Sequence, residues 1–186
     1  MRSLIIVFLV VCVARGSTAN DPLPAEVLLD RPAVRSVKLS PDGLSYGFVE
    51  VAADMEYVTV VDIATRTPRR AAAFKDLKVL NYWWKNSGLV LVLVESLVGN
   101  RNWRAFDLQT GKTYYLDTFN TIGSELVNPL ADDPDEILIS AYFGQEAELR
   151  RLNIRTRKSI KLQRPRGRID RWLTNRAGEA VAGFGI

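Results

Sequence analysis

Short apolar runs alternate with polar turn sequences along most of this 186-residue chain, and the alternation recurs as whole units. The segments YVTVVDIATRTPRR, NWRAFDLQTGKTYYL and LRRLNIRTRKSIKL each contain an apolar run that ends in Asp or Asn, with Thr three residues further on. Their anchor residues Asp62, Asp107 and Asn153 lie 45 and 46 residues apart. An internal repeat of this length is characteristic of proteins built from stacked or radially arranged units.

Turn sequences form a second series with the same period. Gly43, Gly88 and Gly178 lie 45 and 90 residues apart, and the acidic cluster at residues 132–136 fills the remaining place in the series. In the first turn Pro41 fixes φ and Gly43 tolerates a positive φ, so the chain is predicted to reverse tightly there. Two series with one period indicate a true internal repeat.

Each unit is predicted to contain about four short strands, because its apolar runs are rich in β-branched and aromatic residues. Four antiparallel strands in about 40 to 45 residues are typical of a β-propeller blade. We therefore expect an all-β fold, a partial β-propeller of about three four-stranded blades plus the start of a fourth. The predicted blades cover about residues 34–74, 79–116 and 126–162, and the fourth begins at 169–186.

A single β-sandwich of about 165 residues is the alternative architecture, because sandwiches also show turns at regular intervals. The in-register repetition of whole four-strand units favours blades over a sandwich. No segment beyond the N-terminal apolar run has a helical pattern of apolar residues.

Three consecutive aromatic residues, Tyr82, Trp83 and Trp84, lie in the predicted first strand of the second blade. Adjacent residues of a strand point to opposite faces of a sheet, so at least one of the three is expected to pack between blades. Core packing is the preferred interpretation, and a platform for carbohydrate or peptide is the alternative.

The N-terminus has the pattern of a secretory signal peptide over residues 1–19, followed by a lead-in at residues 20–33. Arg2 precedes a short apolar core at residues 4–14, and residues 17–19 supply small side chains for cleavage before Asn20. An uncleaved anchor is the alternative, but the core is shorter than the ~20 residues of a membrane span. The only cysteine, Cys12, would be removed with the signal. We predict an exported bacterial protein, periplasmic or extracellular, with no membrane contact after cleavage.

The predicted mature chain carries little net charge, because removal of Arg2 and Arg15 leaves 23 basic and 21 acidic residues. Basic residues are nevertheless concentrated in one stretch, in which Asp170 is the acidic residue set against them. This basic stripe comprises Arg150, Arg151, Arg155, Arg157, Lys158, Lys161, Arg164, Arg166, Arg168 and Arg171. Basic stripes bind phosphate backbones or anionic membranes, but few aromatic residues are interleaved here for base stacking. We predict a solvated face and no nucleic-acid partner.

The sequence contains no histidine, which excludes Ser-His-Asp and Cys-His catalysis by this chain alone. Gly123-Ser124 continues to Glu125-Leu126 and so does not form a G-x-S-x-G nucleophile turn. No glycine-rich phosphate loop is present. We therefore predict no catalytic, cofactor-binding or metal-binding residues, and a small enzyme based on a carboxylate pair is the least favoured function.

Two groups of acidic residues are candidates for an exception to that prediction. The cluster at residues 132–136 does not have the spacing of a calcium loop and coincides with a turn of the repeat, so a solvated turn is preferred to a calcium site. Glu146 and Glu148 alternate along a predicted strand. They are either a site for a peptide amine or ordinary exposed strand residues.

The segments AEVLLDRPAVRSVKLSPDGLSYGFVEV, VTVVDIATRTPRR and LNYWWKNSGLVLVLVES resemble the N-terminal propeller of secreted prolyl-oligopeptidase-family serine peptidases, the group of dipeptidyl and acylaminoacyl peptidases. In that family Ser-Pro-Asp-Gly recurs between the first two strands of a blade, V-x-D-x-x-T closes the third strand, and Trp before a short turn opens the next blade. Residues 40–43, 62–65 and 84–93 match these motifs. Ser-Pro-Asp-Gly turns also mark Tol-system periplasmic propellers.

The resemblance implies a propeller that caps an α/β-hydrolase domain and limits access to oligopeptide substrates. In the family the catalytic Ser, Asp and His lie in that C-terminal domain, and this sequence stops within its predicted fourth blade, so no catalytic residue is carried over. The expected partners are the hydrolase domain of the intact protein and peptide substrates. A stand-alone periplasmic binding propeller, completed by association with another chain, is the alternative function.

Overall fold

A computed structural model describes residues 33–116, 124–143, 146–164 and 167–185 of the chain. The predicted signal peptide at residues 1–19 and all but the last residue of the predicted lead-in at residues 20–33 lie outside the described residues. Within the described ranges every regular element is a β-strand. No helix in these ranges is long and apolar enough to cross a bilayer.

Fourteen strands form four antiparallel sheets in the described part of the chain. Sheet 1 contains β1 (Val34–Leu39), β2 (Ser45–Ala52), β3 (Met55–Asp62) and β4 (Pro68–Lys75). Sheet 2 contains β5 (Leu77–Asn86), β6 (Leu89–Ser96), β7 (Arg101–Asp107) and β8 (Thr113–Tyr115). Sheet 3 contains β9 (Glu125–Asn128), β10 (Glu136–Phe143), β11 (Glu146–Asn153) and β12 (Ser159–Gln163). Sheet 4 contains β13 (Arg171–Thr174) and β14 (Ala180–Phe184).

Consecutive strands are hydrogen-bonded neighbours in every sheet, as expected when short turns connect antiparallel strands. The predicted all-β chain, with three four-stranded units and the start of a fourth, is confirmed. Among the described residues no strand pairing joins sheet 1 to sheet 4, so these four sheets do not close on themselves through hydrogen bonds.

The strand register explains the repeat in the sequence. The anchor residue at the end of each third strand pairs with the first residue of the second strand: Asp62 with Ser45, Asp107 with Leu89, and Asn153 with Glu136. One period of the sequence therefore corresponds to one complete sheet.

Three separate hydrophobic cores lie between successive sheets, because each central strand carries apolar residues on both faces. The core between sheets 1 and 2 includes Val49, Val58, Phe74, Val92 and Phe106. The core between sheets 2 and 3 includes Leu91, Trp103, Ala105, Ile137, Ile139 and Leu152. The core between sheets 3 and 4 includes Leu130, Leu138, Leu149 and Trp172. A single sandwich has one core between two sheets, so this arrangement rules out that alternative.

The three consecutive aromatic residues are divided between two of these cores. Tyr82 and Trp84 are buried against sheet 1, whereas Trp83 packs into the core between sheets 2 and 3. There its ring lies 5.0 Å from that of Trp103, centroid to centroid. The prediction that these residues pack between blades is confirmed, and the alternation of strand faces is the reason.

Candidate functional site: the turn end of the sheets

Two kinds of turn lie at one end of the sheets, the turn after each first strand and the turn after each third strand. We call this the turn end. After the third strand, Oδ1 of Asp62 accepts hydrogen bonds from the amide and the hydroxyl of Thr65, at 2.8 and 2.9 Å. Oδ1 of Asn153 accepts the same pair from Thr156, at 2.8 and 3.0 Å. The repeated Asp or Asn and the following Thr are therefore the two halves of one turn.

The same turn in sheet 2 uses Asp107, whose Oδ1 accepts the amides of Thr110 and Gln109 at 2.9 and 3.0 Å. These hydrogen bonds, first that of the Thr110 amide, hold the pKa of the Asp107 carboxyl below its usual value, although burial opposes them. The turn thus stabilises the carboxylate charge, which makes Asp107 a weaker base than a free aspartate.

Each of these turns ends on a residue in the left-handed region of backbone space. The φ angles are 56° at Arg66, 71° at Gly111 and 61° at Arg157. The amides of these residues donate to the carbonyls of the three anchor residues at 2.8 to 2.9 Å. A glycine adopts this conformation without strain, so the turn of sheet 2 has the most favourable residue at this place.

The turn after each first strand contains the second marker series. In sheet 1, Oδ1 of Asp42 accepts from the Ser40 hydroxyl at 2.6 Å and from the Leu44 amide at 3.0 Å. In sheet 3, Oδ1 of Asp133 accepts the amides of Asp135 and Glu136 at 2.8 and 2.7 Å. The acidic cluster at residues 132–136 is therefore a turn, as predicted. Within the described ranges no group of three or more carboxylates is arranged to hold a metal ion.

Grooves between successive sheets open at the turn end. The groove between sheets 1 and 2 has a volume of about 440 Å³, with Asp62 and Arg69 in its lining. The groove between sheets 2 and 3 has the same volume, with Asp107 and Arg155 in its lining. The groove between sheets 3 and 4 is about 350 Å³. Charged side chains line all three, so they suit polar ligands.

A larger hollow of about 850 Å³ lies on sheet 1 and shares Arg69 with the lining of the groove between sheets 1 and 2. Val34, Phe48, Val51 and Pro68 give it a mostly apolar lining, and none of them belongs to the core between sheets 1 and 2. This surface is therefore a second face of sheet 1 that is able to pack against apolar material.

Comparison with known proteins gives a fold. No family model and no curated protein sequence matches the chain. TolB from Acinetobacter baumannii resembles it with a TM-score of 0.56 and 18% identity, over 78% of this chain and 36% of that one. The β-propeller domain of the Trilobed protease from Pyrococcus furiosus resembles it with a TM-score of 0.50 and 14% identity, over 70% of this chain and 43% of that one. The described sheets are blades of a β-propeller.

A third structure supports the same fold. Pyrococcus horikoshii acylaminoacyl peptidase has a TM-score of 0.52 and 12% identity, over 72% of this chain and 25% of that one. The chain thus spans less than half the length of each of these structures. Sheets 1 to 4 are called blades 1 to 4 from here on.

Lys85 crosses the junction between blades 2 and 3, and it is not among the residues that the sequence predicted to be functional. It is fully buried, and its Nζ donates to the carbonyl oxygens of Leu130 and Asp133 in the first turn of blade 3. Burial lowers the pKa of the Lys85 ammonium, and the surrounding carboxylates, Asp133 foremost, oppose that shift. The signal in the sequence was a lysine in the apolar run YWWKNSG, at the place in the repeat where blade 1 has Ser40.

Arg155 crosses the same junction from the other side. Its Nη1 donates to the hydroxyl of Tyr114 in blade 2 at 2.8 Å. Within blade 3, its Nε donates to Oδ1 of Asp135 at 2.5 Å. The hydrogen bond to Asp135 raises the pKa of the guanidinium, which stays charged. Blade 3 is therefore attached to blade 2 at the turn end by two cationic side chains.

The basic stripe is less uniform than its sequence suggested. Arg155 and Arg157 are exposed, in agreement with the prediction of a solvated face. Arg150 departs from that prediction, because its side chain is 17% exposed and its Nη1 pairs with Glu148 at 2.7 Å. Arg151 lies 3.5 Å from Glu136. Glu148 lies two residues from Arg150 on the same strand, whereas Glu136 comes from the neighbouring strand β10, which sequence order alone does not place next to the stripe.

Of the two glutamates considered for a peptide amine, Glu146 is exposed and Glu148 is not. Glu148 forms ion pairs with Arg150 and Lys161. Burial pushes its pKa upward, but the hydrogen bonds from these two cations outweigh burial and hold the pKa below its usual value. Glu148 is therefore already neutralised within blade 3, so its interpretation as an ordinary exposed strand residue was wrong.

Proposed function

We propose that this chain is the noncatalytic propeller portion of an exported prolyl-oligopeptidase-like serine peptidase, in which it limits access of substrates to an α/β-hydrolase domain. The observation that carries the proposal is the agreement between fold and motifs. The described blades resemble the propeller domain of one protease and the structure of an acylaminoacyl peptidase. The Ser-Pro-Asp-Gly turn and the Asp62 turn occupy the places in the blade that the family motifs require.

The chemistry of the chain is consistent with a noncatalytic role. It has no histidine, so it supplies no imidazole base for a serine nucleophile. The carboxylates of Asp62, Asp107 and Asp133 are bound to turn amides, and that of Glu148 is bound to cations. The proposal therefore assigns peptide hydrolysis to the hydrolase domain and substrate access to the blades. The proposed substrates are oligopeptides, and the proposed location is the periplasm or the exterior of a bacterium.

The coding sequence beyond Ile186 tests this proposal directly. We expect further blade repeats, followed by a G-x-S-x-G turn and a histidine. The longer protein should cleave oligopeptides, whereas the 186-residue chain should not react with a fluorophosphonate probe for serine hydrolases. Stoichiometric labelling of the short chain, or a continuation without a nucleophile turn, would contradict the proposal.

The second candidate is a stand-alone periplasmic propeller-type binding protein that is completed by another chain. The resemblance to TolB, at a TM-score of 0.56, favours this candidate. The apolar hollow on blade 1 supplies a surface on which a further sheet is able to pack. A stop codon directly after Ile186, together with a soluble oligomer in size-exclusion chromatography, would support it against the peptidase.

A further inference from the structure

One position of the repeat opens the first turn of every blade. Four residues occupy this position at intervals of 45: Ser40, Lys85, Leu130 and Asn175. In blades 1, 3 and 4 the carbonyl of this residue accepts the amide three residues further on, at 2.9 to 3.0 Å. Equivalent positions thus build equivalent turns, and of the four residues only Lys85 carries a charge.

Lys85 reaches out of its own blade to its counterpart in the next one. Its side chain is fully buried, and Nζ donates to the carbonyls of Leu130 and Asp133. These are the first and fourth residues of the blade 3 turn, since the Asp133 amide donates to the Leu130 carbonyl at 2.9 Å. The ammonium therefore holds both ends of one turn from the neighbouring blade.

The backbone that Lys85 holds is strained. Leu130 has a φ of 48°, in the left-handed region that a leucine rarely adopts. Such a conformation persists only when its surroundings fix it from several sides. Here the Leu130 amide donates to Oδ1 of Asn128 at 2.7 Å, and its carbonyl accepts from both Lys85 and the Asp133 amide. Lys85 is the one of these partners that comes from another blade.

The side chain of Leu130 extends in turn to blade 4. It is 7% exposed and belongs to the core that contains Trp172. A Cβ atom added to Gly178 would lie 2.5 Å from Cδ2 of Leu130. Leu130 thus packs directly on the first turn of blade 4, so its position determines where that turn is able to lie.

We propose that Lys85 and Leu130 form a clasp that fixes blades 2, 3 and 4 relative to one another at the turn end. Lys85, in blade 2, fixes the strained Leu130 backbone by its hydrogen bond to the Leu130 carbonyl. The Leu130 side chain packs against the Gly178 turn and thereby fixes the position of that turn in blade 4. In the clasp, the buried Lys85 ammonium donates hydrogen bonds to two neutral carbonyl oxygens. Such hydrogen bonds are charge-assisted, and the low polarity of the protein interior strengthens them. The junction between blades 1 and 2 has no such link at this position, because Ser40 bonds within its own turn.

The charges around the clasp come mainly from the blade 3 turn. The carboxylates that act on Lys85 are those of Asp132, Asp133, Asp135 and Glu136. Three of them have cationic partners, in the pairs Arg176 with Asp132, Arg155 with Asp135 and Arg151 with Glu136. Lys85 therefore serves as the buried cation for a turn whose outer charges are balanced from neighbouring strands and turns.

Amide hydrogen exchange in the 186-residue chain tests the clasp. In Lys85→Met we expect exchange at the amides of Asp135, Glu136 and Glu179 to be at least about tenfold faster, which corresponds to a loss of about 1.4 kcal/mol of local stability. The amide of Leu44, in the equivalent turn of blade 1, should change by less than about twofold. Exchange at Asp135 and Glu136 that is equal in the variant and the unmodified chain would overturn the proposal.

Two further variants separate the steps of the clasp. Leu130→Ala removes the contact with blade 4 and leaves Lys85 and its acceptors in place, so exchange should accelerate at Glu179 and stay unchanged at Asp135. Lys158→Met removes an exposed lysine from a neighbouring turn and serves as the matched control. Acceleration at Glu179 in this control as well would show a general effect of lost charge and would contradict the clasp.

A measurement without mutation covers the case in which Lys85→Met fails to fold. In the unmodified chain, the hydrogens of the Lys85 ammonium, observed through its ¹⁵N resonance, should exchange slowly with solvent. The reason is that the group is buried and bound to two carbonyls. An ammonium that exchanges as fast as that of Lys158 would overturn the proposal.

Discussion

The Tyr82 hydroxyl donates a 2.6 Å hydrogen bond to the Gly47 carbonyl, and this contact joins the first strand of blade 2 to the second strand of blade 1. A Cβ at position 47 would lie 3.2 Å from the Tyr82 hydroxyl oxygen and 3.3 Å from Cζ2 of Trp84. The blades approach this closely because residue 47 has no side chain. Burial of the Tyr82 phenol also raises its pKa, so the hydroxyl remains a donor throughout the neutral range.

We expect Gly47→Ala to lower the free energy of unfolding by about 1–3 kcal/mol, because the added methyl group crowds the buried rings of Tyr82 and Trp84, which must shift by a few tenths of an ångström. Urea denaturation followed by tryptophan fluorescence measures this loss. Gly88→Ala is the matched control, since its nearest side-chain atom is 3.6 Å from the added Cβ and its φ is not positive. A larger loss at Gly88 than at Gly47 would contradict this account of the blade junction.

At the left-handed position after each third strand, two substitutions should change the stability of the chain in opposite directions. Gly111→Ala should destabilise the chain by about 1 kcal/mol, because alanine is strained at a φ of 71°. Arg157→Gly should stabilise it by up to about 1 kcal/mol, because glycine removes the same strain at a φ of 61°. Thermal unfolding of both variants gives the two signs. Two shifts in the same direction would show that backbone strain is not the dominant effect.

The blade 2 turn should lose stability in acid. The pKa of Asp107 is lower in the folded chain than in the unfolded chain, so its contribution is present above pH ~4 and is lost as the pH falls through the folded value. Asp107→Asn keeps the acceptor oxygen, as Asn153 does in blade 3, but does not titrate. At pH 7 its free energy of unfolding should lie within about 1 kcal/mol of that of the unmodified chain. Between pH 5 and pH 3 the variant should lose less stability than the unmodified chain. Identical acid profiles would contradict this assignment.

Lys85 should give a pH dependence of the same direction, but in the alkaline range. Because burial lowers its pKa in the folded state, the unfolded chain binds more protons at alkaline pH, and stability rises as the pH passes above the folded value. Lys85→Met should lack this rise, and it should be close to neutral in global stability at pH 7 because it removes a buried charge. Urea titrations from pH 7 to pH 10 measure both effects. A rise that persists in the variant would assign it to another group.

Local patterns made the fold predictable. The strands and both turn series follow from apolar alternation, Gly and Pro at turns, and the Asp or Asn that binds the following Thr, all of which act within a few residues. The packing of Tyr82 and Trp84 followed from strand alternation alone. The partners of Lys85 and Arg155 in the neighbouring blade were not predictable in this way, because they depend on which strands and turns lie side by side.

The sequence by itself determined that the chain forms repeated four-stranded units and that it has no imidazole chemistry of its own. Only the tertiary structure decided how those units hold one another. Lys85 meets the carbonyl of Leu130, 45 residues away, because packing of apolar faces brings equivalent turns of successive blades together. Hydrogen-bond pairing within a blade is local along the chain, whereas contact between blades depends on the shape of both faces at once, so it becomes fixed only when the sheets are assembled.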